Sequence, residues 1–107
     1  MRKSVRSCVA LAAVLSLAGV VSFAQSSGEA TYKSKCASCH GATGMADSGA
    51  GKAMKVKPVT DPDIKAMSEA QMITITTDGK GKMPGYKGKL TDDQIKDSVS
   101  YYRSLAK

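Results

Sequence analysis

Cys36-Ala37-Ser38-Cys39-His40 constrains this chain more than any other stretch, because two thiols three residues apart, followed at once by an imidazole, form the attachment signature of a c-type haem. On one turn of helix, positions i and i+3 share a face, so Cys36 and Cys39 are expected to present both sulfurs to one edge of a flat macrocycle, with His40 beneath the ring. The thiols would become thioethers. A neutral nitrogen of His40 would bind the iron, while the other donates to an acceptor that fixes the tautomer and ring plane; the Pro58 carbonyl is one candidate for that acceptor. The chain contains no second histidine. Three other chemistries share the pattern, and each fits worse. A dithiol redox pair belongs near a strand-helix-strand unit, a zinc site needs four ligands in two clusters, and a disulfide across so short a loop removes little unfolded-state entropy.

The first 24 residues read as a cleaved export signal. Arg2, Lys3 and Arg6 form a basic head, Val9 to Val21 is almost wholly apolar, and Ser22-Phe23-Ala24 offers small residues where a signal peptidase reads them. The alternative is a retained membrane anchor, for which the apolar run falls short of the roughly 20 residues a spanning helix needs. Cys8 lies inside this leader and is given no role. Cleavage after Ala24 leaves one domain, residues 25–107, and lowers the formal net charge from +7 to +4.

A domain of that size hides a smaller share of its surface and often needs a staple. Its aromatics are Tyr32, Tyr86, Tyr101 and Tyr102 alone, without Phe or Trp, so side chains by themselves make a thin core and a bulky cofactor would fill it. A modest positive charge with no recognised motif does not support nucleic-acid binding.

Four helices are expected from local signals. Ser26-Ser27-Gly28-Glu29 is a capping box for a helix running into the cysteines, along which Gly28, Tyr32 and Cys36 recur every four residues; a glycine in that stripe suggests a tight helix crossing. From Gly41 to Lys57 the chain is glycine-rich without apolar periodicity and reads as loop. Asp61-Pro62 starts a short helix reaching about Ala66. Ser68-Glu69-Ala70-Gln71 caps another that stops at Gly79, although its interior, Met72-Ile73-Thr74-Ile75-Thr76-Thr77, has the β-branched alternation of a strand. Thr91 to Gln94 opens the last helix, with Ile95, Val99, Tyr102 and Leu105 as its apolar stripe and Tyr101 beside it, placed to meet the first helix.

Gly79-Lys80-Gly81-Lys82-Met83-Pro84-Gly85-Tyr86 cannot be regular structure. Met45, Met54, Met67 and Met72 read as loop or core filler, whereas Met83 sits in a glycine-rich loop with Pro84 fixing the next φ. That makes it the candidate second iron ligand, with spacing alone leaving the other methionines open.

These features together resemble the small bacterial class I cytochromes c, including c6-like and c5-like carriers: Gly28-x-x-x-Tyr32-x-x-x-Cys36-x-x-Cys39-His40, then Gly79 to Tyr86, then Leu90 onward to Tyr101-Tyr102-Arg103-Ser104-Leu105. The resemblance implies an all-α class I cytochrome c fold, with three to four short helices and long loops around one covalently bound haem c, and first and last helices crossing near Gly28, Tyr32 and Tyr101. It also implies that His40 and Met83 are the axial ligands.

The resulting reading is a monomeric, soluble periplasmic electron carrier, not an enzyme, that transfers single electrons through an exposed haem edge. Lys80, Lys82, Lys87 and Lys89 cluster around Met83 with Asp78 the nearest acid. They are expected either to be a solvated face or to steer docking onto acidic redox protein partners, with membranes met only through partner complexes. The rival is a haem enzyme or ligand sensor, peroxidase-like or gas-binding, with a displaceable sixth ligand, which requires Met83 to be off the iron. A membrane-tethered carrier is the third possibility.

Overall fold

A computed structural model describes residues 22–107; the leader expected at residues 1–24 lies almost entirely outside the described residues, and Cys8 with it. Helix α1 (Ser22–Lys35) is followed by single turns α2 (Ala37–His40), α3 (Gly49–Ala53) and α4 (Pro62–Lys65), then by α5 (Glu69–Asp78) and α6 (Asp92–Ser104). The fold is all-α, as expected, and among the described residues the only β pairings are two isolated bridges, Lys80 with Met83 and Lys87 with Leu90. Among the described residues there are six helical segments rather than three or four, because the chain between the long helices folds into single turns.

Local caps explain most of the boundaries. Ser68 and Gln71 exchange both bonds of a capping box, and so do Thr91 and Gln94. Asp61 caps α4 by accepting from the Asp63 N–H at 2.9 Å, with Pro62 in the first turn. The β-branched run in α5 is helical: Thr76 and Thr77 donate their hydroxyls to the Met72 and Ile73 carbonyls, each at 2.8 Å, which satisfies them inside the helix. Two boundaries depart from expectation. Helix α1 begins at Ser22 and runs through Ser26–Glu29, so amides that a capping box would serve lie within reach of carbonyls one turn earlier. Within the expected loop 41–57, Ser48 caps α3 by accepting from the Gly51 N–H at 3.0 Å.

Helices α1 and α6 pack against each other, α6 also packs on α5, and α2 sits between α1 and α3. At the α1–α6 crossing Gly28 is buried, and a Cβ there would run into the carbonyl of Asp97; absence of a side chain lets the backbones touch. One turn on, Tyr32 is fully buried against Tyr101 and Tyr102, with ring centroids 5.3 and 6.0 Å away. The rest of the apolar core is small: Val59, Ile95, Val99, Met72 and Ala46. This is the thin core that the composition predicts.

Candidate functional site

The space that the core leaves open is a cavity of about 470 Å³ between α1, α5, α6 and the loops around residues 56 and 83, within the roughly 300–1,000 Å³ common for cofactor sites. Its walls are overwhelmingly apolar and include Tyr32, Val56, Ile64, Met67, Met72, Ile75, Val99 and Tyr102. Cys36, His40 and Met83 face the same space. A second hollow of about 410 Å³ shares Cys36, His40 and Met83 and adds Cys39, Met54, Pro84 and Tyr86. All four residues singled out in the sequence therefore meet at one place.

The cysteine turn exists because α1 breaks at Cys36, where the backbone takes φ −115°, ψ −33°. The Cys36 N–H still donates to Tyr32 at 2.8 Å, but the Cys39 and His40 N–H groups turn back to the Cys36 carbonyl at 3.2 and 2.9 Å. Both cysteines are free and half-buried. Burial, reinforced by Cys39, pushes the Cys36 thiol up to about 11, so it stays protonated at neutral pH.

Helix α3 braces this turn from behind. The Ser48 hydroxyl that caps α3 also donates to the Ser38 carbonyl at 2.7 Å, and a Cβ on Gly51 would run into the Cys39 carbonyl. Neither residue stood out in the sequence, since their partners lie ten or more positions away; the Ser48-Gly49-Ala50-Gly51 start was the available cue. Tyr32 adds a further tie, donating its hydroxyl to the Gly41 carbonyl at 2.6 Å.

His40 packs edge-on against Tyr102 with centroids 5.2 Å apart. Tyr102, expected as plain core, is thus part of the cavity wall, and burial pushes its phenol up to about 12. Burial also lowers the His40 pKa, which favours the neutral imidazole that can bind a metal. Its Nδ1 is buried with no hydrogen-bond partner. The Pro58 carbonyl does not hold it: that oxygen accepts from the Asp61 N–H at 2.9 Å, because Pro58 leads directly into the α4 cap.

Met83 faces the cavity from a tight turn where Lys80 and Met83 exchange N–H···O bonds of 3.0 Å in both directions. Gly79 at φ +84° and Gly81 at φ +60° make that turn possible. Lys80, Lys82, Lys87 and Lys89 are all exposed; Lys80 also borders both hollows and Lys82 the smaller.

The donor set suits a flat, apolar, iron-bearing ring. An apolar slot suits its faces, and two half-buried thiols, an imidazole with a buried, unpaired nitrogen and a thioether reach the adjoining hollows. Among the described residues no three His, Cys, Asp or Glu side chains converge as in an all-protein metal cage, so a second half for a zinc site is missing there.

Comparison with known proteins agrees with this geometry. A family model described as cytochrome c oxidase, cbb3-type, subunit III matches residues 23–101. A cytochrome c6 of Leptolyngbya boryana is 40% identical over 75 residues, covering 70% of this chain and 84% of the relative. A cytochrome c-551 of Halorhodospira halochloris is 35% identical over 81 residues, 72% of this chain and 95% of the relative. The matched stretch takes in most of both long terminal helices, the cysteine turn and the Met83 loop, and the chain accordingly belongs to the cytochrome c family, as a small class I c-type cytochrome with one covalently bound haem c.

Proposed function

We propose that this chain is a soluble periplasmic one-electron carrier in which Cys36 and Cys39 hold haem c through thioethers and His40 and Met83 bind its iron. The observation that carries the reading is the convergence of Cys36, His40 and Met83 on one apolar cavity. When bound, the group supplies a reversible one-electron couple at iron. Around it, the chain's residues have separable tasks. Tyr102 packs against the edge of the His40 ring, and burial lowers the pKa of that imidazole, favouring its neutral form. The apolar walls exclude water. A Met83 thioether on the iron would leave no position for a substrate, and such a ligand favours the reduced state and raises the potential.

Lys80, Lys82, Lys87 and Lys89 make the exposed rim beside Met83 positive, which would steer an acidic partner to the edge where electrons leave. Export fits the same picture. Cleavage after Ala24 would remove the first residues of α1 and release the amides that Ser26-Ser27-Gly28-Glu29 can then cap. An intact mass of the secreted protein tests this through the loss of residues 1–24.

Met83→Ala tests the central claim. The reduced variant should take up carbon monoxide rapidly and its potential should fall, while the parent stays six-coordinate and resists the gas. A parent protein that binds carbon monoxide readily would instead favour a ligand-sensing or peroxidase-like haem site. Equal potentials in parent and variant would remove Met83 from the iron.

A further inference from the structure

The break in α1 at Cys36 leaves one backbone group without its helical partner. In an unbroken helix the Lys35 carbonyl would accept from the Cys39 N–H, but that N–H bonds to the Cys36 carbonyl at 3.2 Å. The orphaned oxygen is filled from far along the chain, by the Tyr86 hydroxyl at 3.1 Å, a contact spanning 51 positions.

Tyr86 sits three residues beyond Met83, and the bonds around it show what this contact adds. On the α5 side the loop is well anchored: the Tyr86 and Lys87 N–H groups donate to the Thr76 and Thr77 carbonyls at 2.9 and 3.1 Å. Within the loop, Lys80 and Met83 bond to each other, and the Lys89 and Leu90 N–H groups return to the Tyr86 carbonyl. Among the described residues, the Tyr86 hydroxyl makes the hydrogen bond that joins this loop to the segment carrying the cysteines. Its ring is half-buried and lines the smaller hollow beside Cys36, Cys39 and Pro84.

We propose that Tyr86 is a positioning residue: the bond from its hydroxyl to the Lys35 carbonyl latches the Met83 loop to the cysteine turn and sets how often Met83 leaves the iron. The inference rests on the reading that Met83 is an iron ligand. A carrier works best when its ligands keep the same geometry in both oxidation states, and that requires both walls of the site to move as one body. A loop tied to α5 alone could swing away from the cysteine wall, which the thioethers hold still.

The test uses the mature holoprotein and three variants, Tyr86→Phe, Tyr86→Leu and Met83→Ala, with carbon monoxide mixed into each reduced sample. Tyr86→Phe should keep the six-coordinate low-spin spectrum of the parent, yet take up carbon monoxide roughly two- to tenfold faster, the range that one net hydrogen bond supplies. Tyr86→Leu, which also loses the ring, should be faster still. The urea dependence of uptake separates a latch from plain stability. Local opening exposes little surface and gives a shallow slope, whereas global unfolding gives the full slope of the equilibrium transition. An unchanged rate in Tyr86→Phe, or one that follows global unfolding, overturns the latch while Met83→Ala still opens the site. If Met83→Ala and the parent react alike, the ligand assignment fails and the latch fails with it.

Discussion

The two walls of the cavity are built by opposite means. On the cysteine side, backbone is pressed directly on backbone: Gly28 of α1 against Asp97 of α6, and Gly51 of α3 against the Cys39 carbonyl, with Ser48 and Tyr32 tying Ser38 and Gly41 in place. On the Met83 side the chain is a loop of lysines and glycines, largely exposed and fixed by a few bonds to α5 and one to Lys35. On the proposed reading the difference would assign different work to the walls: a covalent attachment point has to be rigid, while a face that meets partners has to present charge to water and still hold one side chain still.

If that division is right, the largest effects follow from the cysteine side. Cys36→Ala or His40→Ala should abolish stable holoprotein in cells able to mature c-type cytochromes, because the residual core of Tyr32, Val59, Ile95 and a few neighbours is too small to fold well unaided. Yield of the haem-containing species by absorbance and mass is the measurement. Normal yields would mean that the cavity is filled by other means and that the wall is not an attachment site.

Next in size is the helix crossing. Gly28→Leu places a side chain where the Asp97 carbonyl already sits, so α1 and α6 must separate; overpacking of this kind costs about 1–3 kcal/mol, and more where backbone is the obstacle. An unfolding free energy lowered by that amount, read from a lower urea midpoint at unchanged slope, with Tyr32 becoming accessible, is the expected result. An unchanged midpoint would show that the crossing tolerates displacement and that rigidity on this wall lies elsewhere.

The Met83 wall permits a sharper internal comparison. Gly79 and Gly81 both have positive φ, at +84° and +60°, but a Cβ on Gly79 would meet the Gly85 nitrogen at 2.7 Å and the Met83 carbonyl at 2.9 Å, whereas nothing lies within 4 Å of one on Gly81. Gly81→Ala should therefore cost about 1–2 kcal/mol from left-handed backbone alone and leave the iron site intact. Gly79→Ala should cost more and also increase carbon monoxide uptake, since its strain falls on the turn that carries Met83. Identical behaviour of the two variants would imply that the turn does not position Met83.

How much of this could be read in advance follows the range of each interaction. The caps at Asp61, Ser68 and Thr91 are encoded within four residues and were legible, as were the cysteine motif and the crossing glycine. The box at Ser26 lies inside α1 in the uncleaved chain, because a cap depends on what precedes it and residues from Ser22 onward continue the helix. Helix α3 was hidden because glycine and alanine give little periodicity, and its cap Ser48 also serves Ser38, ten positions back. Positive φ at Ala46 and Lys55 had no sequence signal, and the Tyr86–Lys35 contact joins segments whose proximity only the assembled fold creates. The four candidate site residues were legible as types, whereas their convergence required three separate elements to pack.

The smallest effect is expected from the lysines, and it decides whether the Met83 wall is a docking face or only a solvated one. Lys80→Gln and Lys82→Gln leave Cys36, His40 and Met83 in place while each removes one positive charge bordering the hollows. Exposed charges separated by more than about 8–10 Å are largely screened at physiological ionic strength, so any steering is lost as salt rises. The bimolecular electron-transfer rate with an acidic partner should fall with ionic strength in the parent, and each substitution should flatten that dependence severalfold less than all four lysine replacements together. The urea midpoint should stay within error, because surface charges of this kind contribute little to stability. A parent rate that ignores salt would remove the electrostatic role from this wall and leave its lysines as solubilising groups, with partner choice carried by the apolar rim around Met54 and Pro84.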